Sequence, residues 1–223
     1  MHLTEQDHAK VTQAVTAAER TTDGEIVTVV AGQSDSYHDV ALHWAALAML
    51  LVLALLSVWP GIAAALYERV FDPWTQVVSP SVLLLIALVL QVLVFAAVRL
   101  LLLVPALRLR LTPGATKTRR VRRRALGLFR TAAEKRTRAG TGVLLYLSLA
   151  EHRAELIADS AIHAKVAPEV WGEAMATLVT AARAGRVAEG MAEAVAQVGV
   201  VLDEHFPRSA DDFNELPDRL IEL

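Results

Sequence analysis

GEIVTVVAG, from Gly24 to Gly32, is the stretch on which the fold turns. Its β-branched run, Glu25 to Ala31, is opened by Asp23-Gly24 and closed by Gly32, which is the composition of a buried strand. A lone strand this close to the N-terminus cannot bury Val27, Val29 and Val30 by itself. Its partners must come from later in the chain, yet the next long run is VALHWAALAMLLVLALLSV, Val40 to Val58, with no Asp, Glu, Lys or Arg. That run is long enough to cross a hydrocarbon core of about 30 Å as a helix. The spacing therefore predicts an apolar insertion inside a sheet-containing domain, the first strand pairing across it.

The composition agrees. The chain has 223 residues, 54% of them hydrophobic, and a mean hydropathy of +0.41, high for a purely soluble protein. Cysteine is absent, which excludes disulfides, thiolate zinc sites and a cysteine nucleophile. MHLTEQDHAKVTQAVTAAER lacks the basic start and apolar core of a signal peptide. A second apolar run, Ser81 to Val104, carries only Gln91 and Arg99 as strongly polar members. WPG at Trp59 to Gly61 and ALYERVFDPWTQVVSP between the runs read as a short exposed connection. Trp44, Trp59 and Trp74 fall near the expected water interfaces.

TKTRRVRRR, Thr116 to Arg124, places six cations in nine residues of a chain whose formal net charge is -2. With Arg108 and Arg110 just upstream, the set Arg108, Arg110, Lys117, Arg119, Arg120, Arg122, Arg123 and Arg124 comes after the second apolar run, whereas the connection offers Arg69. The positive-inside rule then predicts an integral inner-membrane protein with two spans and both termini cytoplasmic. Each juxtamembrane cation contributes about 1 kcal/mol of attraction to anionic inner-leaflet lipid. The lipid surface is thus the expected partner of these cations, and not nucleic acid. Arg99 is read as snorkelling to the same interface.

The remaining segments supply the domain. Thr4 to Arg20 reads as an amphipathic helix with Thr4 as N-cap. Thr116 to Arg138 reads as a helix with Val121, Ala125, Leu128, Phe129 and Ala132 toward a sheet and the arginines opposite. Val143 to Leu149 and Ala154 to Ala158, split by AEHR, read as a β-hairpin. Two more helices are expected, from Pro168 to about Ala184 and from Val187 to His205, interrupted by Gly185. PRSADDFNELPDRLIEL offers prolines and acids but little core-forming material. The expected organisation is residues 1–36 and 107–205 as two parts of one α/β domain, 37–106 as a transmembrane helical hairpin, and 206–223 as an acidic tail. A parallel pairing of the first strand accommodates so long a crossover.

Residues suited to chemistry are scattered. Glu151, His152 and Arg153 share the hairpin turn and Asp159 ends the next strand, but adjacent turn residues diverge. Asp35, Asp39 and His43 share one face if a helix continues through SDSYHDVALH, with His38 nearby, and oxygen and imidazole at that spacing suit a divalent ion. A polar helix start at the membrane surface is the plainer reading. Asp203, Glu204, His205, Asp211 and Asp212 read as exposed charges. P-loop, dinucleotide, HExxH and GxSxG patterns are missing. No catalytic, metal or cofactor residue is therefore assigned.

GEIVTVV, LFRTAAEKRTRAGTGVLLYLSLAEHRAELIADSAI and AGRVAEGMAEAVAQVGVVLDEHFP together resemble the TPM domain family, named for a thylakoid lumen protein, a photosystem II repair protein and a nematode receptor-associated protein. The resemblance covers most of the chain outside the apolar runs. It implies an α/β/α sandwich around a small mixed sheet, here interrupted by the two-helix hairpin. The photosynthetic branch is associated with photosystem repair and with a proposed metal-binding acid phosphatase activity. The family's acidic DNG-like turn is replaced by Ala139-Gly140-Thr141-Gly142, so phosphatase chemistry transfers poorly. The expectation is a membrane-tethered, non-enzymatic interaction or accessory module for assembly or maintenance of a membrane complex. A protein partner in the membrane or cytoplasm and homo-oligomers are both compatible with it. A divalent-metal-dependent phosphatase is the alternative.

Overall fold

A computed structural model describes residues 3–70, 79–132, 140–209 and 215–223. Among them the order is α1 (Glu5–Glu19), β1 (Glu25–Ala31), α2 (His38–Val58), α3 (Gly61–Val70), α4 (Pro80–Leu101), α5 (Pro105–Arg110), α6 (Gly114–Ala132), β2 (Gly142–Ser148), β3 (Arg153–Ala158), α7 (Ser160–Lys165), α8 (Gly172–Arg183), α9 (Val187–His205) and β4 (Ile221–Glu222). A 3-10 turn, Pro168–Trp171, precedes α8. The protein is mostly helical, with one small mixed sheet. It divides into two compact units, one formed by Met1–Asp35 with Gly114–Leu223 and the other by Ser36–Pro113.

In the first unit the strand order is β3-β2-β1-β4. β1 runs parallel to β2, Glu25 opposite Gly142 through Ala31 opposite Ser148, so the crossover between them contains the whole second unit. β2 and β3 form the antiparallel hairpin. Both central strands are buried along their full length, as strands covered on two faces must be. Alternation sorts their side chains into two cores. Ile26, Val30, Val143, Leu145 and Leu147 pack with Val11 and Val15 of α1, Leu178 of α8 and Met191, Val195 and Val198 of α9. Val27, Val29, Leu144 and Tyr146 pack with Val121, Ala125 and Phe129 of α6. The Thr4 cap is formed together with Asp7 as a capping box.

Several sequence expectations need correction here. The tail, expected to offer little core material, contributes to both cores: β4 pairs in parallel with β1 at Val29 and Val30, and Leu216 and Leu220 are buried. The Glu25 carboxylate accepts the backbone N–H groups of Glu215 (3.2 Å) and Leu216 (3.0 Å), and Thr16 donates to Asp218 (2.5 Å). The connection between the apolar runs contains α3, whose Ile-Ala-Ala-Ala-Leu run is a strong helix former. α7 comes directly after the hairpin, with Asp159 as its N-cap residue. Trp74, Arg138, Ala139, Asp211 and Asp212 lie outside the described residues.

In the second unit, α2 and α4 are each long and apolar enough to cross a membrane by length and composition, and the apolar window of α4 has no buried residue. They run antiparallel: Gln91 donates to Met49 O (3.0 Å) and Arg99 to His38 O (3.5 Å). Trp44 donates to Leu111 O (3.2 Å). Backbone carbonyls thus satisfy these polar side-chain donors within an otherwise apolar hairpin.

Candidate functional site

The carboxyl ends of β1 and β2 converge on a buried polar network. The parallel ladder continues past the strands, Leu149 N–H donating to Ala31 O and Ala150 N–H to Gly32 O (both 3.0 Å). The hairpin then turns through His152, which adopts a left-handed φ of 50°. This returns the Glu151 side chain beneath the turn, where it is buried. Its Oε1 accepts the Ser34 N–H (3.0 Å), and its Oε2 accepts the Ser148 hydroxyl. Ser34 Oγ donates to Ser148 Oγ (2.8 Å) and lies 2.9 Å from the Tyr146 hydroxyl. Burial pushes the Tyr146 phenol above its ordinary range, against the opposing pull of its bond to Ser34. A phenol so held stays protonated and donates to Ser34. The protons therefore point along one line, from Tyr146 through Ser34 and Ser148 to the Glu151 carboxylate.

Beside this network lies a cleft of ≈ 430 Å³ lined by Ser34, Asp35, Arg120, Arg123, Arg124, Gly127, Leu128 and Thr131. The α6 residues in it fall at i, i+3, i+4, i+7, i+8 and i+11, one stripe of a helix. The apolar stripe Val121, Ala125 and Phe129 anchors α6 to the sheet and thereby aims the cleft stripe past the end of β1. Arg120 closes one side by an ion pair with Asp35 at 2.6 Å, both side chains partly buried.

The eight cations read as one membrane-facing set have different surroundings. Arg108 is a correction: it is buried, 7% exposed, with Nη1 3.0 Å from His38 Nδ1 and donating to Leu102 O (3.5 Å). The short α5 turns it back into the hairpin unit, out of any surface set. Arg120 is committed to Asp35. Arg122 lies near Glu155, whose carboxyl burial pushes up while Arg122 and Arg153 pull it down. Arg123 and Arg124 are exposed at the cleft. Arg110 and Arg119 are exposed and Lys117 is half-buried.

The scattered carboxylates hold structure. Asp159 accepts the Gly142 N–H (3.1 Å), pinning the start of β2 to the end of β3. Arg153 donates to Gly114 O (3.3 Å), while His152 is exposed. Asp35, Asp39 and His43 do not share a helix face, because α2 begins at His38 after Tyr37 takes a left-handed φ of 53°. His43 instead places Nδ1 2.6 Å from Asp39 O. Asp203 and Glu204 are exposed, and the His205 carbonyl accepts from Lys165 (3.1 Å). Among the described residues no group of three or more His, Asp or Glu is placed to hold a metal ion. The Ser34–Ser148–Glu151 convergence was not anticipated from sequence. The available signal was the alternation that puts Tyr146 and Ser148 on the same sheet face, two residues apart.

No protein-family model matches the chain, and no curated protein matches it. Among solved structures, the NMR structure of BA42 protein from the psychrophilic bacterium Bizionia argentinensis sp. nov. is similar, with a TM-score of 0.56 at 15% identity over 100% of this chain and 97% of that one. At that identity the likeness concerns the fold alone.

Proposed function

We propose that this chain is an integral membrane protein whose TPM-like domain, an α/β/α sandwich split by a transmembrane hairpin, serves on the cytoplasmic side as a non-enzymatic interaction or accessory module for a membrane complex. The observation that carries this reading is the chain order: two long apolar helices, α4 with an apolar window that is unburied, are inserted between β1 and the arginine-rich α6. A soluble domain has no means of covering such helices, whereas lipid does. Arg110, Lys117 and Arg119, directly after the hairpin, suit an anionic inner leaflet. Helices on both faces of a small mixed sheet agree with what the family resemblance implies.

A reporter fused at the C-terminus, compared with one inserted near Asp72, tests the topology. Cytoplasmic signal from the first and exported signal from the second is the expected pair, and an exported C-terminus overturns the assignment. Crosslinking in native membranes separates a self-associating hairpin from one that engages another protein. Divalent-dependent turnover of a generic phosphomonoester, abolished by Asp159→Ala or Asp39→Ala in folded protein, would sink the non-enzymatic reading.

A further inference from the structure

The cleft between the end of β1 and α6 has a composition that neither membrane docking nor packing accounts for. Three arginines, Arg120, Arg123 and Arg124, line it together with the Asp35 carboxylate, and the Glu151 carboxylate lies behind Ser34, whose amide it holds. Arg120 and Asp35 are already paired. Among the described residues Arg123 and Arg124 form no ion pair, and Arg120 stands three and four positions from them on the same helix, a spacing at which like charges repel.

Gly127 sits in the middle of the same stripe. In a helix interior glycine costs about 1 kcal/mol relative to alanine. Such a glycine commonly admits a neighbouring backbone, but a Cβ built on Gly127 would meet nothing within 4 Å. Its effect is to leave room in front of Arg123 and Arg124. The opposite wall is held rigid. The Ser34 amide is fixed by Glu151, its hydroxyl by Tyr146 and Ser148, and Asp35 by Arg120. Thr131 spends its proton on the Leu128 carbonyl (2.9 Å). The donors left for a ligand are therefore the guanidinium N–H groups of Arg123 and Arg124, planar forks of the kind that match a phosphoryl group bidentately.

We propose that this cleft binds a phosphomonoester-type dianion, recognised by Arg123 and Arg124 with Arg120 as the paired third cation. Outside the Arg120–Asp35 pair, Arg123 and Arg124 present two guanidinium charges, which a dianion neutralises and a single carboxylate ligand does not. A volume of ≈ 430 Å³ suits one phosphoryl group with its substituent, not a polymer. The same chemistry is presented by a soluble phosphate compound and by a lipid with a phosphomonoester headgroup. The inference stands apart from the membrane-docking reading, since it concerns a single pocket and not a charged face.

The test uses the full chain in neutral phosphatidylcholine nanodiscs, titrated with inorganic phosphate by calorimetry. A second arm compares nanodiscs containing phosphatidic acid with others of equal surface charge containing phosphatidylserine. Gly127→Leu fills the cleft with every charge retained and with better helix propensity. Arg123→Gln with Arg124→Gln removes the forks, and Arg119→Gln with Arg122→Gln removes the same charge from outside the cleft. In the neutral nanodiscs Gly127→Leu and the Arg123/Arg124 pair are expected to weaken phosphate binding at least about tenfold, and the Arg119/Arg122 pair no more than about twofold. Saturable binding of free phosphate identifies a soluble ligand, and a Gly127→Leu-sensitive preference for phosphatidic acid identifies a lipid headgroup. If neither probe binds, or if Gly127→Leu binds like the parent and both arginine pairs weaken binding equally, the cleft is only part of a charged surface and the proposal falls.

Discussion

Raising the pH should loosen the sheet unit through one buried acid, Glu19. This residue ends α1 and is 8% exposed. Its Oε1 accepts the Ile26 N–H at 2.8 Å. β4 pairs with β1 at Val29 and Val30, beyond Ile26, so the carboxyl takes a backbone donor that no strand among the described residues reaches. Burial pushes the Glu19 carboxyl from its ordinary value of 4.5 up to about 8, the Ile26 bond opposes this, and the nearby Glu25 and Asp218 carboxylates add to it. Glu19 is therefore protonated in the folded protein at neutral pH, whereas the unfolded chain ionises it above pH 4.5. Unfolding then releases a proton, and stability falls as pH rises from 4.5 until the folded carboxyl itself titrates near 8. At about 1.4 kcal/mol per unit, this one group removes about 3 kcal/mol between pH 4.5 and pH 7 and about 5 kcal/mol by pH 8 and above. Glu19→Gln keeps the acceptor for Ile26 and cannot ionise. The assay is hydrogen exchange of the β1 and β2 amides in micelles, corrected for the intrinsic rate at each pH. The parent should lose protection between pH 5 and 8, and the variant should lose little and be the more protected protein at pH 8. A parent with flat protection, or a variant with the parent's slope, refutes the reasoning.

Three packing predictions can be read by thermal unfolding. A Cβ on Gly190 would overlap the Ala181 Cβ, where α8 and α9 touch. Gly190→Ala should thus cost about 1–3 kcal/mol despite its better helix propensity, and adding Ala181→Gly should recover part of the loss. Asp159→Ala orphans the buried Gly142 N–H and should cost about 1–3 kcal/mol, while Asp159→Asn, which keeps an acceptor, should cost less. Leu216→Ala should cost about 2–5 kcal/mol, because Leu216 belongs to the core beneath α6 and not to a dangling tail.

Local signals made much of the sheet unit legible and nonlocal ones hid the rest. Glu25–Ala31 and Val187–His205 stand in the structure with the bounds that their composition and caps predict, as does the Thr4 N-cap. β4 escaped because a two-residue strand amid prolines and acids has no periodicity of its own. It exists by pairing with Val29 and Val30 and by lodging Leu216 and Leu220 in the two cores. Arg108 misled because its position after an apolar run is that of a surface cation, while the Val104-Pro105 turn into α5 folds it inward. The site was the least legible element. Ser34 and Glu151 are 117 positions apart, and the parallel register of β1 on β2 brings them together.

That register also bears on why a hairpin can be inserted here at all. Two antiparallel helices present their outer ends about 8–10 Å apart, so a domain that accepts them must open between two neighbouring points of its own surface. In the sheet unit the departing chain ends at Asp35 and the returning chain begins at Gly114. Asp35 is bonded to Arg120, six residues into the returning chain, at 2.6 Å, and Ser34 is bonded to the Glu151 turn. The opening is thereby fastened by contacts within the sheet unit alone, so the core of β1, β2 and α6 does not need the hairpin to hold its edges together. The same fastening builds one wall of the arginine cleft. Asp35→Ala should accordingly weaken both at once, releasing Arg120 and lowering protection of the β1 C-terminal amides, whereas Arg123→Gln should leave that protection unchanged. Hydrogen exchange on the two variants distinguishes a structural clasp shared with the cleft from arginines that act only as surface charge.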